Sequence, residues 1–326
     1  MNRRALLLLA AALPAPALAQ APWPDRPISL VVPFTAGGST DIAARILAER
    51  MAARLGAGAR IIVENRAGAG GSLGADFARR QAPDGHTLLM ATASSHGTNP
   101  AALPQTTPYD PVEDFTAVAI VGGGPLVVVV PGRSPHRTMQ DLLAAMRARP
   151  GALSFATSGA GGIGHLTGEY VMARAGGLRA EHIPYRGGAQ VLAAMAAGEV
   201  DWSCEVLASA APHLRDGTSR GLAVTVPRRH PLMPEIPSLA EVGVADVDVT
   251  TWNLLLAPKN LPAPLLARLN EAANAVLAEP AVRERMAAAG VDAADRNAPE
   301  EARAFLVAEL AKFRGIVQAA GIALGR

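Results

Sequence analysis

The fold of this chain is decided by one stretch near its beginning, Leu30-Val31-Val32-Pro33-Phe34-Thr35-Ala36-Gly37-Gly38-Ser39-Thr40-Asp41. The apolar, β-branched run at 28–32 is typical of a buried strand. Ser39 and Thr40 are both suitable N-cap residues, and apolar residues recur at helical spacing from Ile42 onward. The stretch therefore predicts a strand, a tight glycine loop and a helix.

Such a loop is suited to binding an anion. Glycine lets a ligand approach the backbone, and the first N–H groups of a helix have no partner inside the helix. These free donors and the helix dipole favour negative charge together. Asp41 in the first turn repels a bare carboxylate, so we expect backbone N–H groups and bridging water to hold the anion, with hydroxyls from Thr35 or Ser39. The alternative is an ordinary strand–helix turn without a ligand.

The first residues of the chain predict where the protein is located in the cell. Arg3 and Arg4 precede the apolar run 5–13, and Ala17-Leu18-Ala19 offers a small-x-small cleavage site. This pattern predicts a signal peptide over residues 1–19 and export to the periplasm. Its removal takes away two arginines and no acids, so the formal charge of +2 falls to zero. We therefore expect no nucleic-acid partner and no attraction to a membrane surface.

Other counts limit the function classes further. Cys204 is the single cysteine, so an intrachain disulfide is excluded. No later apolar run reaches the length of about 18 residues that a membrane-spanning helix needs, and we expect a soluble mature chain without membrane insertion. The histidines lack the H-x-x-x-H and H-E-x-x-H spacings, so we expect no metal.

The order of predicted elements indicates an α/β protein with two lobes. Strands and helices alternate, which predicts a mostly parallel sheet whose loops at 33–39, 66–74 and 92–98 share the edge where ligands bind. A short strand at 116–121 is followed by three glycines and a new strand at 125–130, so we place the passage into the second lobe near residue 122. A strand at 248–256 returns to the first lobe. The predicted lobes are residues 20–121 with 251–326, and residues 122–250.

The second lobe contains the same unit of a strand, a glycine loop and a helix. The run 157–165 (TSGAGGIGH) follows a short strand and precedes a helix from Leu166. Two such anion-binding loops in separate lobes can face each other across a cleft. The loop also fits the dinucleotide pattern G-x-G-x-x-G, but we expect no dehydrogenase, because an exported protein has no ready supply of NAD.

Several side chains have two readings. His165, at the start of the second helix, is a capping residue or a catalyst. Tyr185 and Arg186 are a ring wall and a cation for a second carboxylate, or ordinary surface residues. Asp201 accepts a hydrogen bond from a ligand's amino or hydroxyl group, or caps a turn. We expect Ser95 and His96 to form no nucleophile–base pair, because neighbouring side chains on an extended segment point apart.

Motifs along the whole mature chain resemble one family. The motifs are Pro33-Phe34-x-Ala36-Gly37-Gly38-x-x-Asp41, Val63-Glu64-Asn65-Arg66, Pro83-Asp84-Gly85, Tyr109-Asp110-Pro111, Gly159-x-Gly161 with His165-Leu166, Pro184-Tyr185-Arg186-Gly187 and Ile236-Pro237-Ser238-Leu239. In this order they are similar to the tripartite tricarboxylate transporter substrate-binding proteins, also called the Bug family. The resemblance implies a type II periplasmic binding protein, in which two α/β lobes joined by crossing strands close on one small carboxylate.

The resemblance also implies a set of ligand-binding residues. One carboxylate would lie between two loops, held largely by backbone N–H groups and ordered waters, and further loops would contact the rest of the ligand. Gly162 departs from the family's pattern, because many relatives carry a hydroxyl there. Carried onto this chain, the set is Phe34, Thr35, Ala36, Gly37, Gly38, Ser39, Asp41, Thr92, Ser94, Ser95, Thr157, Ser158, Gly159, Gly161, Gly162, His165, Tyr185, Arg186, Gly187 and Asp201.

The expected function is that of a periplasmic receptor, not an enzyme. A monomer without cofactor would capture a mono-, di- or tricarboxylate, aliphatic or aromatic, and deliver it to the membrane permease of a tripartite transporter. Binding would shift an open–closed hinge equilibrium. Two alternatives remain: a sensor that passes its ligand to a signalling partner, and an exported hydrolase that uses Ser158, Ser95 or Ser72 with His165.

Overall fold

A computed structural model describes residues 23–322 of the chain, and the predicted signal peptide lies outside these residues. Ten strands and ten α-helices are assigned within them, and a helical segment at Ala93–Thr98 belongs to the π class. The strands are β1 (Ile28–Val32), β2 (Ile61–Asn65), β3 (Thr87–Thr92), β4 (Phe115–Pro131), β5 (Ser154–Thr157), β6 (Glu181–Pro184), β7 (Trp202–Val206), β8 (Ser219–Val224), β9 (Thr250–Pro258) and β10 (Asp292–Ala293). The helices are α1 (Ser39–Leu55), α2 (Ser72–Arg79), α3 (Asn99–Ala102), α4 (Met139–Ala148), α5 (Ile163–Arg174), α6 (Gly188–Ala197), α7 (Leu207–Arg215), α8 (Ala263–Leu277), α9 (Pro280–Ala288) and α10 (Pro299–Ala319).

The sheet order separates two groups of parallel strands. On one side β2, β1 and β3 are parallel, and on the other side β6, β5 and β7 are parallel. Between them lie β9 and β4, which pair antiparallel with their neighbours. We call the part around β1–β3 the first lobe and the part around β5–β7 the second lobe. Two α/β lobes were predicted, and this architecture confirms them.

Strand β4 crosses from one lobe to the other without a break. Its first part pairs with β9 as far as Pro125, and from Leu126 it pairs with β7. The prediction of two strands separated by three glycines was therefore wrong. A Cβ at Gly122 would collide with the Asp292 carbonyl, and one at Gly123 with the Thr251 carbonyl. These glycines permit close packing of neighbouring chains rather than a turn. The predicted lobe boundaries at 122 and 251 stay a prediction.

Helices cover both faces of each group of strands. The apolar sides of α1, α8 and α9 pack on β1, β3 and β9 in one core, while α6 and α7 pack on β4 and β5 in another. Among residues 23–322, no helix combines the length and the apolar character needed to cross a membrane. The elements leave the carboxyl ends of β1, β3, β5 and β7 facing one another, and the helices that follow these strands begin there.

Candidate functional site

A small inner cavity lies where the two glycine loops meet. Its volume is about 50 Å³, and both lobes contribute to its wall. From the first lobe come Phe34, Thr35, Gly38, Ser39, Thr40, Thr92, Ser94 and Thr251, and from the second Ser158, Ile163, Gly188, Glu205, Val206 and Ser209.

Several backbone N–H groups at this cavity have no acceptor within the described part of the chain, and two of them come from the glycine loops of opposite lobes. These two belong to Gly38, the N-cap of α1, and to Ser158, which follows β5. The amino ends of α1 and α5 both lie at the cavity, so the helix dipoles add positive potential there. Two free donors from opposite lobes make this cavity suited to an anionic group of two oxygens.

The neighbouring helix N–H groups are bonded across the cleft. The Ser39 N–H donates to Ser209 Oγ of the second lobe at 3.2 Å. In return, the Ile163 N–H of the second lobe donates to Ser94 Oγ of the first at 2.9 Å. Thr98 Oγ1 also donates to the Gly161 carbonyl at 2.6 Å. The two lobes are therefore closed on each other in this structure.

Helix α1 begins one residue earlier than its sequence suggested. Ser39 and Thr40 were predicted as N-caps, but Gly38 is the N-cap and no side chain caps the helix. Because Ser39 is already helical, its N–H points along the helix axis towards the cleft and meets Ser209 there. The serine thus acts through its backbone in this contact.

A larger outer cavity continues from the inner one, since Phe34 and Ser158 line both. Its volume is about 350 Å³. Among the described residues of its wall, Arg186 is the one with a charged side chain, and the predicted Tyr185 lies beside it. The remaining lining residues are Gly68, Ala69, Gly70, Gly71, Ser72, Asn99, Leu103, Thr106, Thr107, Gly159, Ala160 and Pro184.

The loop at 68–72 was expected at this edge but was not among the predicted ligand residues. Its backbone is held by Asn99, whose Nδ2 donates to the carbonyls of Ala69 and Gly70. The buried Oδ1 of Asn99 has no donor among the described residues. Asn99 could not be recognised from the sequence, because it begins α3, directly after the π-helical segment, and neither of these elements was predicted.

Asp41 is buried against its own loop and lines neither cavity. Its carboxylate accepts hydrogen bonds from the Gly37 N–H, Arg45 and Asn65. Burial opposes ionisation, but these hydrogen bonds outweigh it and lower the pKa of Asp41. Asp41 therefore holds the loop in shape, and its charge is paired away from the cleft. Ala36 and Gly37, also predicted, belong to this loop and line neither cavity.

The second loop has its own internal support. His165 Nδ1 accepts from the Gly161 N–H at 3.1 Å, and its ring stacks on His182 at 3.6 Å. Burial, together with the neighbouring His182, lowers the pKa of His165 to about 3. Thr157 Oγ1 bonds to His182 Nε2 at 2.6 Å. Thr157, Gly161, Gly162 and His165 thus shape the loop, and none of them lines either cavity.

Ser95 and His96 form the contact that their sequence positions argued against. Ser95 Oγ lies 2.9 Å from His96 Nδ1, because the segment is helical instead of extended. Both residues are fully buried, and burial lowers the pKa of His96 to about 3. A pair without access to substrate supplies no hydrolase site. His165, the base of the hydrolase alternative, accepts a hydrogen bond from a backbone N–H, and within residues 23–322 it bonds to none of Ser158, Ser95 and Ser72.

Asp201 lies at the wrong end of its strand to contact a ligand in the cleft. Its carboxylate accepts from the Ser154 N–H at 2.7 Å and from the Ser154 hydroxyl at 2.9 Å, at the amino ends of β5 and β7. The acid at the carboxyl end of β7 is Glu205, which the sequence analysis missed. A glutamate inside a buried apolar run was the signal that would have found it.

Glu205 is 4% exposed and lines the inner cavity. The Ser203 hydroxyl shares its single proton between Glu205 Oε1, at 3.2 Å, and the Ala156 carbonyl, at 2.7 Å. Burial raises the pKa of Glu205 to about 7, while the bond from Ser203 opposes this. The predicted Gly187, the N-cap of α6, lines neither cavity, but its Cα faces Thr35 so closely that a Cβ would collide with Thr35 Oγ1.

Comparisons with known proteins agree with this geometry. The family model of the tripartite tricarboxylate transporter family receptor matches residues 43–322. Protein BugT of Bordetella pertussis is 34% identical over 302 residues, which are 93% of this chain and 91% of BugT. The periplasmic binding protein BugD superposes with a TM-score of 0.86 at 30% identity, over 92% of this chain and 99% of BugD.

Two further structures contain ligands. An R. palustris protein solved with adipate superposes with a TM-score of 0.87 at 32% identity, over 92% of this chain and 99% of that protein. MatC from Rhodopseudomonas palustris with bound malate gives a TM-score of 0.85 at 29% identity, over 90% of this chain and all of MatC, at 100%. The predicted periplasmic-binding-protein fold and family resemblance are confirmed, and the chain belongs to the family of tripartite tricarboxylate transporter receptors, the Bug proteins.

Proposed function

We propose that the protein is a periplasmic receptor that captures a small carboxylate between its lobes and delivers it to the membrane subunits of a tripartite tricarboxylate-type transporter. The observation that carries the proposal is the pair of unbonded N–H groups, on Gly38 and Ser158, at one cavity between opposite lobes. A carboxylate has two acceptor oxygens, and backbone donors at helix ends bind such groups well.

The sizes of the two cavities suit two different parts of the ligand. The inner cavity of about 50 Å³ accommodates a carboxylate group, while the rest of the ligand occupies the outer cavity of about 350 Å³. Arg186 at the outer cavity is placed for a second carboxylate. The adipate and malate bound by the two relatives from R. palustris support a carboxylate ligand for this chain.

Closure couples binding to transport in this proposal. The hydrogen bonds between Ser39 and Ser209, and between Ile163 and Ser94, exist only when the lobes meet. A ligand that contacts both loops therefore favours the closed form, since it binds that form better than the open one. Docking on the permease would then select the closed, loaded receptor.

Calorimetry with a panel of carboxylates tests the proposal. The panel contains mono-, di- and tricarboxylates, aliphatic and aromatic, with the matching primary amides as uncharged controls. We expect at least one acid to bind with one-to-one stoichiometry and its amide not to bind, and small-angle scattering to show a more compact protein with the acid. Absence of binding by every acid, or equal binding of acid and amide, would contradict a carboxylate receptor.

The transporter partner needs a separate experiment. Uptake of the identified acid is measured in cells that lack either this receptor or the permease subunits. We expect both deletions to abolish uptake, and the added receptor to restore it only where the permease is present. Normal uptake without the receptor, together with a lost transcriptional response to the acid, would favour a sensor.

A further inference from the structure

Glu205 is a buried acid whose second oxygen has no partner. Alternation along β7 places Ser203 and Glu205 on one face, opposite Trp202 and Cys204. Ser203 donates to Oε1, and within the described residues no donor reaches Oε2. Oε2 is not fully enclosed by protein atoms but faces the inner cavity, so a ligand in that cavity can supply the missing partner.

Few groups around Glu205 stabilise its negative charge. Within residues 23–322, no other residue in the wall of the inner cavity carries an acidic or basic side chain. The amino end of α6 lies beside Oε2, and its dipole favours the ionised form. Burial acts in the opposite direction and raises the pKa to about 7. Near neutral pH the carboxyl group is therefore partly ionised and available as an acceptor.

A bound carboxylate in the same small cavity makes a hydrogen-bond donor for Glu205 Oε2 more necessary. Two carboxylates at close range in a buried site repel each other, unless a proton or a donor lies between them. A donor on the ligand, attached next to the carboxylate that Gly38 and Ser158 bind, would face Oε2. A ligand without such a donor binds only if Glu205 takes up a proton, and above the pKa of Glu205 this uptake costs free energy, so that ligand is disfavoured.

We propose that Glu205 is a specificity-determining residue which accepts a hydrogen bond from a hydroxyl or ammonium group next to the ligand's bound carboxylate. The protein then prefers hydroxy or amino carboxylates over the unsubstituted acids of equal length. This inference rests on the proposed carboxylate-binding function.

The test compares matched ligands on the full mature protein and on Glu205→Gln. For each chain length from three to six carbons, calorimetry measures the unsubstituted acid, its 2-hydroxy form and its 2-amino form. For the length that binds best, we expect the wild type to prefer a donor-bearing acid by about tenfold or more. Glu205→Gln should reduce that preference to below about threefold, because its binding to the donor loses the charged acceptor.

The two donors are distinguished by the size of the change. If the ligand carries an ammonium group, Glu205→Gln removes its counter-charge and the amino acid loses the most affinity. If the ligand carries a hydroxyl group, the amide oxygen of glutamine still accepts, and the loss for the hydroxy acid is smaller. In either case the unsubstituted acid should bind the variant at least as well as the wild type, because a repelling charge has gone.

Gly188→Ala provides a second variant that keeps the charge. A Cβ there would lie 2.8 Å from Glu205 Oε2, so the carboxyl group must move. We expect the same loss of preference. Glu199→Gln, at an exposed position after α6, is the matched control and should keep the wild-type preference.

Several results would overturn the inference. One is an unsubstituted acid that binds the wild type as tightly as its hydroxy and amino forms. Another is a preference that survives both Glu205→Gln and Gly188→Ala in proteins with the wild-type unfolding temperature. If unsubstituted acids bind as tightly as their hydroxy and amino forms, only this inference fails. If no acid of any kind binds, the proposed function fails together with it.

Discussion

At the scale of single residues, the site depends on backbone atoms more than on side chains. The free N–H groups of Gly38 and Ser158 are oriented by loops that Asp41 and His165 hold from behind. Because these donors belong to the main chain, ordinary side-chain substitutions leave them in place. Proline is the exception, since it has no N–H.

Gly38→Pro should therefore weaken carboxylate binding. Gly38 has φ of −77°, which proline accepts, and its nearest neighbour to an added Cβ is the Thr35 carbonyl at 3.9 Å. Loss of one hydrogen bond to a charged group is worth about 1.5–3 kcal/mol, so we expect about tenfold to a hundredfold lower affinity by calorimetry.

Gly38→Ala is the control for this experiment. It adds a Cβ at the same place but keeps the N–H group, so its affinity should stay close to that of the wild type. Equal affinities for the proline and alanine variants would show that the Gly38 N–H does not contact the ligand.

The structure also shows which of the predicted site residues line the two cavities and which do not. Phe34, Thr35, Gly38, Ser39, Thr92, Ser94, Ser158, Gly159, Tyr185 and Arg186 line the two cavities. Asp201 does not, because the direction of β7 places Glu205 at the ligand edge instead. Strand direction is a property of the sheet, so the sequence around 201–205 did not identify which acid faces the cleft.

At the scale of elements, buried histidines connect the loops to their scaffold. His165 on α5 stacks on His182 of β6, and burial lowers the pKa of both. A histidine whose pKa is lowered in the folded protein stabilises it above the unfolded pKa of about 6.5. This contribution is lost as the pH falls, because the unfolded chain then binds more protons.

His165→Asn tests this contribution. Between pH 6 and pH 4, the free energy of unfolding of the wild type should fall more steeply than that of the variant. The difference in slope should approach one proton, or about 1.4 kcal/mol per pH unit. Denaturant unfolding at several pH values measures it, and asparagine can still accept from the Gly161 N–H. Parallel slopes would mean that His165 is protonated in the folded protein.

At the scale of the whole molecule, the cleft closes through contacts between the lobes that leave no room for an additional side chain. Gly187 of the second lobe meets Thr35 of the first, and Gly159 meets Gly70. Closure without side chains at these points brings the two loops within reach of one small ligand. A side chain added at such a contact should hold the lobes apart without disturbing either core.

Gly187→Ala should therefore favour the open form. Its backbone has φ of 171°, which is extended and open to any residue, so the expected defect is the collision with Thr35 Oγ1. We expect weaker carboxylate binding and a larger radius of gyration in the presence of ligand, with an unfolding temperature close to that of the ligand-free wild type.

A double-mutant cycle with Thr35→Ala separates this effect from a local one. Removal of Oγ1 should relieve the collision, so Gly187→Ala should cost less affinity in the Thr35→Ala background than in the wild type. Gly315→Ala, at a helical glycine with free space around it, is the matched control. Additive effects of the two substitutions would argue against a steric block between the lobes.

The sequence by itself determined the local units and the family. Strand β1, its glycine loop and α1 follow from residues close together in the chain, and so do the second glycine loop and α5. These units depend on the secondary-structure propensities of neighbouring residues and on the conformational freedom of glycine, and both can be read from the sequence. Only the tertiary structure decided which distant residues come together: Ser39 bonds to Ser209, Ile163 bonds to Ser94, and Glu205 lines the same cavity as Ser39. It also decided that the unbroken β4 pairs with both β9 and β7. The physical reason is that burial and contact across a cleft depend on how the two lobes pack, and this packing is not a property of any single segment.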